Sequence, residues 1–206
     1  MEKETGRMEG FSDGVFAIAI TLLVLDLRIP EAENIGNSDA LIQYLQRQWP
    51  AYLAFCMSFF SIFIMWVNHH KIFKQIYSRN TGLTFANGLI LFFASVVSYP
   101  TALLARYFDT PSAHFAVAVY TGLFVLINLS YILLWEIACK DRKLLRPNTS
   151  TITIRKIRME YIYGLPIYVF AFGLSFSFPG VSLVICLGLW IFWVLSSGKI
   201  EVHETV

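Results

Sequence analysis

Six stretches of the chain are long and apolar enough to cross a membrane as helices. A helix needs roughly 20 predominantly apolar residues to span the hydrocarbon core of a bilayer. The predicted spans cover residues 10–29, 50–70, 83–105, 114–138, 160–178 and 180–197. Only 15% of the 206 residues are charged, whereas an ordinary soluble domain carries about 25%. The sequence therefore predicts an all-α, polytopic membrane protein with a single six-helix transmembrane domain over residues 1–206.

Prolines delimit several of these spans. Pro30 closes the first span, Pro50 precedes the second, and Pro179-Gly180 makes a tight reversal between the fifth and the sixth. Three residues could break the spans that contain them: Pro100, Gly164 and Pro166. Because the connections are short, we expect the six helices to pack as one unit.

The polar stretch over residues 30–49 predicts one further, shorter helix. Ser38-Asp39 could cap its first turn, where side-chain oxygens accept hydrogen bonds from free backbone N–H groups. The apolar residues of this stretch are Leu41, Ile42, Leu45 and Trp49. We expect the helix to lie on the outer membrane surface or to cover the mouth of the protein.

Basic residues are concentrated on one side of the predicted membrane. The two termini, the second-to-third connection and the fourth-to-fifth connection together hold thirteen Lys and Arg residues. The opposite side holds only Arg28, Arg47 and Arg106. The positive-inside rule therefore predicts a multi-pass protein of the cell (plasma) membrane with both termini in the cytoplasm. The basic connection over residues 139–159 could also contact anionic lipid.

The first span carries a narrow apolar seam with alternating spacings of three and four residues. Its members are Val15, Ile18, Leu22, Leu25 and Ile29. Such a seam typically faces another helix, and packing alone would explain it. However, the seam residues are bulky and not the small residues usual at close helix contacts. Rings of such aliphatic side chains around an axis can form a constriction that excludes water. Both interpretations stay open at this point.

The outer end of the same span carries an acidic residue, Asp26. A carboxylate at a pore mouth would raise the local concentration of cations. A pairing of Asp26 with Arg28 or with a neighbouring subunit is an equally good interpretation.

Polar residues from three spans are expected at the cytoplasmic end. Arg7, Ser12 and Asp13 precede or begin the first span, and Asn87 begins the third. Trp66 and His70, at the end of the second span, are four residues apart and therefore share a helix face. An arginine fork and the N–H groups of indole and imidazole can all donate to the carboxylate of Asp13. We expect a structural hydrogen-bond network.

A metal site at His69-His70 is not expected. Adjacent histidines point about 100° apart on a helix and cannot readily bind one ion together. Zinc-binding helices prefer histidines four residues apart, and other candidate ligands are few. We predict no metal beyond transiently bound potassium and no catalytic residues.

The motif Arg7-x-x-x-Phe11-Ser12-Asp13, the apolar run that follows it, and Trp66-x-Asn68-His69-His70 resemble a known family. They are similar to the prokaryotic branch of the endosomal and lysosomal potassium channels, the transmembrane protein 175 type. The resemblance covers the six-span layout and is sharpest over residues 7–30 and 58–75.

The resemblance implies a potassium-permeable channel that is a homotetramer and lacks a carbonyl filter. The first helix of each subunit is expected to line the pore. Ile18, Leu22 and Leu25 would then form the constriction, with Thr21 as a ring of hydroxyl groups. The remaining motif residues are expected to hold the pore helix through a structural polar network: Arg7, Phe11, Ser12, Asp13, Trp66, His70 and Asn87.

The resemblance also bounds the partners. Potassium ions, the lipid bilayer and further copies of the chain are expected, whereas a cofactor, a nucleic acid and an enzymatic activity are not. The alternative function is a secondary transporter of a cation or small solute, which binds its substrate near the membrane midplane. No charged residue falls in the middle of a predicted span, which favours the channel.

Overall fold

The computed structural model describes residues 5–31 and 36–198, without the side chains of Asp26 and Ser197. The regular secondary structure of the described part consists of helices and one isolated β-bridge between Ile76 and Leu145. Its α-helices are α1 (Gly6–Leu22), α2 (Ser38–Arg47), α3 (Trp49–Phe73), α4 (Thr81–Val96), α5 (Ser98–Tyr107), α6 (Ala113–Lys140), α7 (Thr151–Ser175) and α8 (Pro179–Gly198). Two short 3₁₀ turns, Leu23–Asp26 and Arg142–Leu144, follow α1 and α6.

Five helical segments are long and apolar enough to cross a membrane. They are Gly6–Leu25, Trp49–Phe73, Thr81–Tyr107, Ala113–Lys140 and Pro179–Ser196. The predicted span 160–178 falls largely within α7, a helix of 25 residues that is not among the five. Four charged residues in the first ten positions of α7 and three tyrosines after them lower its mean hydropathy. The protein is therefore a multi-pass membrane protein, in which five of the six predicted spans meet both criteria.

The prolines act differently at their two interior positions. The third span is interrupted at Val97, between α4 and α5, three residues before Pro100. Proline has no N–H for the carbonyl four residues earlier, so the break predicted at Pro100 is found. By contrast, α7 continues through Gly164 and Pro166 from Thr151 to Ser175. The prediction of a break in that span is wrong.

The first helix begins earlier and ends sooner than predicted. It starts at Gly6, and after Leu22 the chain tightens into the 3₁₀ turn Leu23–Asp26. Ile29 lies beyond this turn, so its assignment to the helical seam is wrong. Residues three apart eclipse one another in a 3₁₀ helix. Leu22 and Leu25 consequently keep a common face although the α-helix has ended between them.

The predicted short helix exists as α2, but its cap lies one residue earlier than expected. The side chain of Asn37 accepts a hydrogen bond of 2.8 Å from the Ala40 N–H group. The predicted cap at Ser38-Asp39 is therefore wrong, since both residues already belong to the helix. The apolar residues Leu41, Ile42 and Leu45 of α2 are exposed.

The helices pack around α6. That helix contacts α4, α5, α7 and α8. It carries Trp135, the largest of the fully buried side chains in the described residues. The pair α7–α8 covers one side of α6, and α8 also reaches α3. The first helix lies against α3 and α4. One face of α1 is thus packed, and the function depends on what its other face contacts.

Two connections at the same end of the bundle are joined by backbone hydrogen bonds. The Tyr77 N–H group donates to the Leu144 carbonyl over 2.8 Å, and the Arg146 N–H group donates to the Gln75 carbonyl over 2.9 Å. These bonds surround the bridge between Ile76 and Leu145. The basic connection between α6 and α7 is therefore tied to the end of α3.

Candidate functional site

The packed face of α1 follows helical spacing. Its buried residues are Met8, Ser12, Phe16 and Ala19, and the buried Leu23 continues them into the 3₁₀ turn. Steps of three or four residues return to the same side of a helix. This face lies against α3 and α4, the two helices that pack on α1.

A different face of α1, about 110° round the helix, carries the three predicted constriction residues, and about half or more of each side chain is exposed in the protomer. The exposed fractions of Ile18, Leu22 and Leu25 are 60%, 48% and 73%. The side chains form a row of large aliphatic groups that no helix of the same chain shields. Contiguous apolar surface of this kind is typical of a face that meets lipid or another protein.

Thr21 lies on the same uncovered side. Its hydroxyl group donates to the Ile18 carbonyl of the same helix over 2.9 Å. A hydroxyl oxygen keeps lone pairs after its proton has been donated. With the proton committed to the backbone, Thr21 presents an oxygen that can accept from water or bind a cation.

The acidic side chain predicted at the outer end cannot be placed. The backbone of Asp26 ends the 3₁₀ turn after α1, but its side chain lies outside the described part of the structure.

Near the middle of α1, the structure brings Asp13 together with Trp66. The Trp66 indole N–H group donates to the Asp13 carboxylate over 2.8 Å. The His70 ring stacks on Trp66 with centroids 6.2 Å apart. Asp13 and His70 are both exposed. This contact joins α1 to α3 near the surface of the protomer.

A second, buried network connects α1 to α3 through α4. The Asn87 side-chain nitrogen donates to the Ser12 hydroxyl over 2.9 Å, and Ser12 donates to the Met8 carbonyl over 2.8 Å. The Asn87 oxygen lies 2.7 Å from Nε2 of His69. Because the Asn87 nitrogen is already the donor to Ser12, its oxygen accepts from a protonated Nε2 of His69. Three helices are thus linked by side chains that are all buried.

His69 was missed as a member of this network. It stacks on Phe73 with centroids 4.3 Å apart and meets Phe16 of α1 edge-on at 5.4 Å. The buried residues Met65, His69 and Phe73 recur every four positions, a spacing visible in the sequence. The expectation of one combined cluster is therefore wrong: Asn87 belongs with His69 and Ser12, not with Asp13 and Trp66.

Two motif residues have no place in either network within the protomer. Arg7 is exposed, and the described residues include no hydrogen bond or ion pair for its guanidinium group. Phe11 is likewise exposed. The expected pairing of Arg7 with Asp13 is not present in the described part of the chain.

A buried ion pair was also missed. The Lys71 ammonium group lies 2.5 Å from the Glu160 carboxylate, and Ser196 lies 3.3 Å from the same ammonium group. These residues belong to α3, α7 and α8. Lys71 therefore sits inside a helix, and its assignment to the polar connection after the second span is wrong. The sequence holds no signal for the pair, since its members are 89 positions apart.

The described residues contain no group of three or more His, Cys, Asp and Glu side chains that could hold a metal ion. The candidate site is consequently built from an apolar helix face, one hydroxyl group and the polar contacts that hold this helix.

Comparisons with known proteins match both the motif and the fold. The family model described as "Endosomal/lysosomal potassium channel TMEM175" matches residues 7–97. A protein from Chamaesiphon minutus, named a potassium channel, is 42% identical over 196 residues, covering 95% of this chain and 96% of that protein. Another from Streptomyces collinus, also named a potassium channel, is 40% identical over 181 residues, covering 87% and 86%.

A solved structure agrees with the described fold. The crystal structure of a lysosomal potassium-selective channel TMEM175 homolog from Chamaesiphon minutus matches with a TM-score of 0.84 at 42% identity. The match covers 94% of this chain and 98% of that one. The similarity thus extends over all the helices and far beyond the motif of α1. The resemblance predicted from that motif is confirmed, and the chain belongs to the endosomal/lysosomal potassium channel TMEM175 family.

Proposed function

We propose that four copies of this chain form a potassium-permeable cation channel in which α1 of each copy lines a central pore. One observation carries the proposal: Ile18, Leu22 and Leu25 share an exposed face of α1, while a separate face of the helix is packed. In a closed homo-oligomer, such a face can meet its own copies around the symmetry axis. The names of the relatives support potassium as the permeant ion.

Each subunit would contribute six membrane helices, with α7 as the one that falls short on hydropathy. Its charged first turns hold Glu160 in the ion pair with Lys71 and Arg158 in a two-point contact with Glu136 of α6. Pairing lowers the cost of placing charges near the membrane. The predicted span 160–178, which begins at Glu160 and continues through the apolar part of α7, would then cross the membrane beside α8.

The constriction would be apolar. Three successive rings of Ile18, Leu22 and Leu25 around a four-fold axis would exclude water when the pore is narrow, and the pore would conduct when the rings widen. Aliphatic side chains cannot replace the hydration shell of an ion. Ions would therefore pass hydrated or partly hydrated, and conduction would be passive.

Selection for potassium would rest on dehydration and on Thr21. Potassium releases its water at a lower cost than sodium does, and the four Thr21 oxygens would replace part of that water. Their protons are committed to the Ile18 carbonyl groups, so the lone pairs are available to a cation. This mechanism predicts modest selectivity, well below that of a carbonyl filter.

The polar contacts of Ser12 and Asp13 would position α1 and would take no part in conduction. The Asp13–Trp66 bond and the Ser12–Asn87–His69 network attach α1 to α3 and α4 on its packed side. Arg7 and Phe11 would complete this support from their exposed positions. Asp26 at the outer mouth would attract cations.

The basic residues support an orientation in the cell membrane with both termini in the cytoplasm. The connections after α3 and α6, which hold Lys74, Arg79, Arg142, Lys143 and Arg146, lie together and are joined at the Ile76–Leu145 bridge. Cationic connections are retained on the cytoplasmic side during insertion.

A ring of cysteines at the constriction tests the pore assignment. In a Cys56→Ala background, Leu22→Cys would place one thiol per subunit around the axis, where soft thiolates can share a Cd²⁺ ion. We expect Cd²⁺ to block the potassium current at concentrations at least about tenfold lower than for the background protein, a difference of about 1.4 kcal/mol. Val184→Cys, on an exposed position of α8, is the matched control and should not change the block.

Recording from the purified protein in planar bilayers separates the channel from the transporter. Discrete unitary openings with modest preference for potassium over sodium are expected. Slow, saturable flux without unitary events would instead support a secondary transporter. In that case Lys71 and Glu160, the buried charges of the bundle, become the first candidates for its substrate site.

A further inference from the structure

A small cavity with mostly apolar walls and a few polar groups lies among α3, α6, α7 and α8, away from α1. Its volume is about 40 Å³, and its walls come from α3, α6, α7 and α8. Aromatic rings form most of the wall, including a stack of Tyr131 on Tyr161 with centroids 5.3 Å apart. Nothing in the proposed pore uses this cavity, because none of its walls belongs to α1.

Two polar side chains in the wall lack protein partners. The Asn128 side-chain oxygen and the Tyr161 hydroxyl group are fully buried, and neither has a hydrogen-bond partner within residues 5–31 and 36–198. Both residues line the cavity. A buried acceptor and a buried donor left unpaired are unfavourable, and native structures almost always satisfy such groups by protein or by ordered water.

Two further hydroxyl groups in the wall retain hydrogen-bonding capacity. Ser61 accepts from the Trp190 indole over 2.8 Å, and Tyr168 accepts from the Trp193 indole over 3.0 Å. A hydroxyl group that accepts one bond can still donate its own proton. The wall therefore offers one amide acceptor and three hydroxyl groups to a ligand that can both donate and accept.

The volume of the cavity limits the size of that ligand. One water molecule needs roughly 10–15 Å³ of such volume, so the cavity accommodates about two or three. Drug-sized ligands occupy pockets of at least about 300 Å³. An aromatic or acyl ligand would also leave the Asn128 and Tyr161 groups unpaired.

Gly164 permits close helix packing beside the cavity. A Cβ atom at this position would lie 2.9 Å from the Trp193 ring and 3.2 Å from the Asn128 amide nitrogen. The first distance is too short for any real contact. Glycine thus lets α7 approach α8 while the Asn128 amide remains turned toward the cavity.

We propose that this cavity is a structural water site. A small cluster of two or three waters donates to the Asn128 oxygen, accepts from the Tyr161 hydroxyl group, and joins α6 to α7 where the protein itself provides no hydrogen bond. This hydrated joint then adds to the direct contacts that attach the α7–α8 pair to the rest of the bundle, namely the Lys71–Glu160 ion pair, the Arg158–Glu136 contact and the Trp190–Ser61 hydrogen bond.

Removing single hydroxyl groups tests the proposal by the sign of a melting-temperature change, measured on the purified oligomer in detergent. If water pairs with Tyr161, Tyr161→Phe breaks a hydrogen bond and lowers the melting temperature. If the cavity is dry, the same change removes an unpaired polar group and raises it. A rise would overturn the proposal.

Two matched variants calibrate that measurement. Tyr131→Phe removes a hydroxyl group that donates to the Met65 carbonyl over 2.7 Å, so it sets the drop for one lost bond. Tyr163→Phe, on the exposed side of α7, sets the baseline. We expect Tyr161→Phe to fall at least one third of the way from the baseline to Tyr131→Phe.

An experimental structure that resolves ordered water gives the direct test. We expect density for water within hydrogen-bond distance of both the Asn128 oxygen and the Tyr161 hydroxyl group. Well-resolved wall side chains around a cavity without such density would refute the water site.

Discussion

The first helix and α6 differ in how much of them the protomer buries. In the apolar 18-residue stretch of each helix, 28% of α1 is buried and 61% of α6 is buried. The two stretches have similar apolar character, since both qualify as membrane spans. Apolar length thus predicts that a helix enters the membrane, whereas burial shows what it meets there. The partners of α6 lie in its own chain, and α1 keeps one face for lipid or for further copies.

This contrast predicts that substitutions in the bundle change stability and that substitutions on the uncovered face of α1 change conduction. Four experiments test it, each measuring both the melting temperature of the purified protein and its potassium current.

The largest effect is expected at the buried ion pair. Lys71→Met leaves the partly buried Glu160 carboxylate without its cation, which should cost about 3 kcal/mol and strongly reduce the amount of folded protein. The double variant Lys71→Met/Glu160→Met removes both charges and should recover most of this loss. Lys140→Met, at an exposed lysine, is the control. If the single and double variants were equally stable, the pair would not hold α3 to α7.

The next effect is expected at the buried network behind α1. Asn87→Leu leaves Ser12 and His69 without their partner, and a buried unpaired group costs about 1–3 kcal/mol. Trp66→Phe removes only the exposed bond to Asp13 and should cost less, about 1 kcal/mol. Thermal melting of both variants compares the two supports of α1. A larger loss for Trp66→Phe would place the main support at the exposed contact.

On the uncovered face, Ile18→Asn should act on conduction. A polar ring would wet the constriction, and we expect the potassium leak to rise about tenfold, equivalent to about 1.4 kcal/mol. Stability should change by less than about 0.5 kcal/mol, as is usual for an exposed position. Ile191→Asn, at a similarly exposed site on α8, should leave the current unchanged. An equal rise in both variants would remove Ile18 from the constriction.

The smallest effect is expected at Thr21. Thr21→Val keeps the shape of the side chain and removes its oxygen, so the ratio of potassium to sodium permeability should fall about threefold, or about 0.7 kcal/mol. Thr21→Ser retains the hydroxyl group and should keep the ratio. Reversal potentials under bi-ionic conditions measure both. An unchanged ratio in Thr21→Val would leave dehydration alone as the source of selectivity.

The sequence could predict much of α1 because local pattern and local structure coincide there. Helical spacing puts Ile18, Leu22 and Leu25 on one face, and the structure leaves that face uncovered. The motif around Phe11-Ser12-Asp13 identified the family, and the comparisons confirm it. The pore role of these residues stays a prediction, because the subunit alone does not determine what meets this face.

The polar contacts show where sequence reasoning stopped. Asp13 and Trp66 were expected together and are hydrogen-bonded. His69 was considered only as a metal ligand together with His70, and that site was rejected because the two rings point apart. Its spacing from Met65 and Phe73 nevertheless placed it on the buried face. Arg7 was expected in the cluster because its charge needs a partner. The protomer provides none among the described residues.

Sequence reasoning alone was therefore enough to predict the five segments that meet both membrane criteria, the apolar side of α1, and the family of the chain. These properties depend on composition and spacing within about 25 residues, the length of one membrane helix. Helix packing, by contrast, was needed to show that Asn87 joins Ser12 to His69, that Lys71 meets Glu160, and that a small cavity lies among α3, α6, α7 and α8. Each of these depends on side chains that are far apart in the chain, and only helix packing brings them within hydrogen-bond distance.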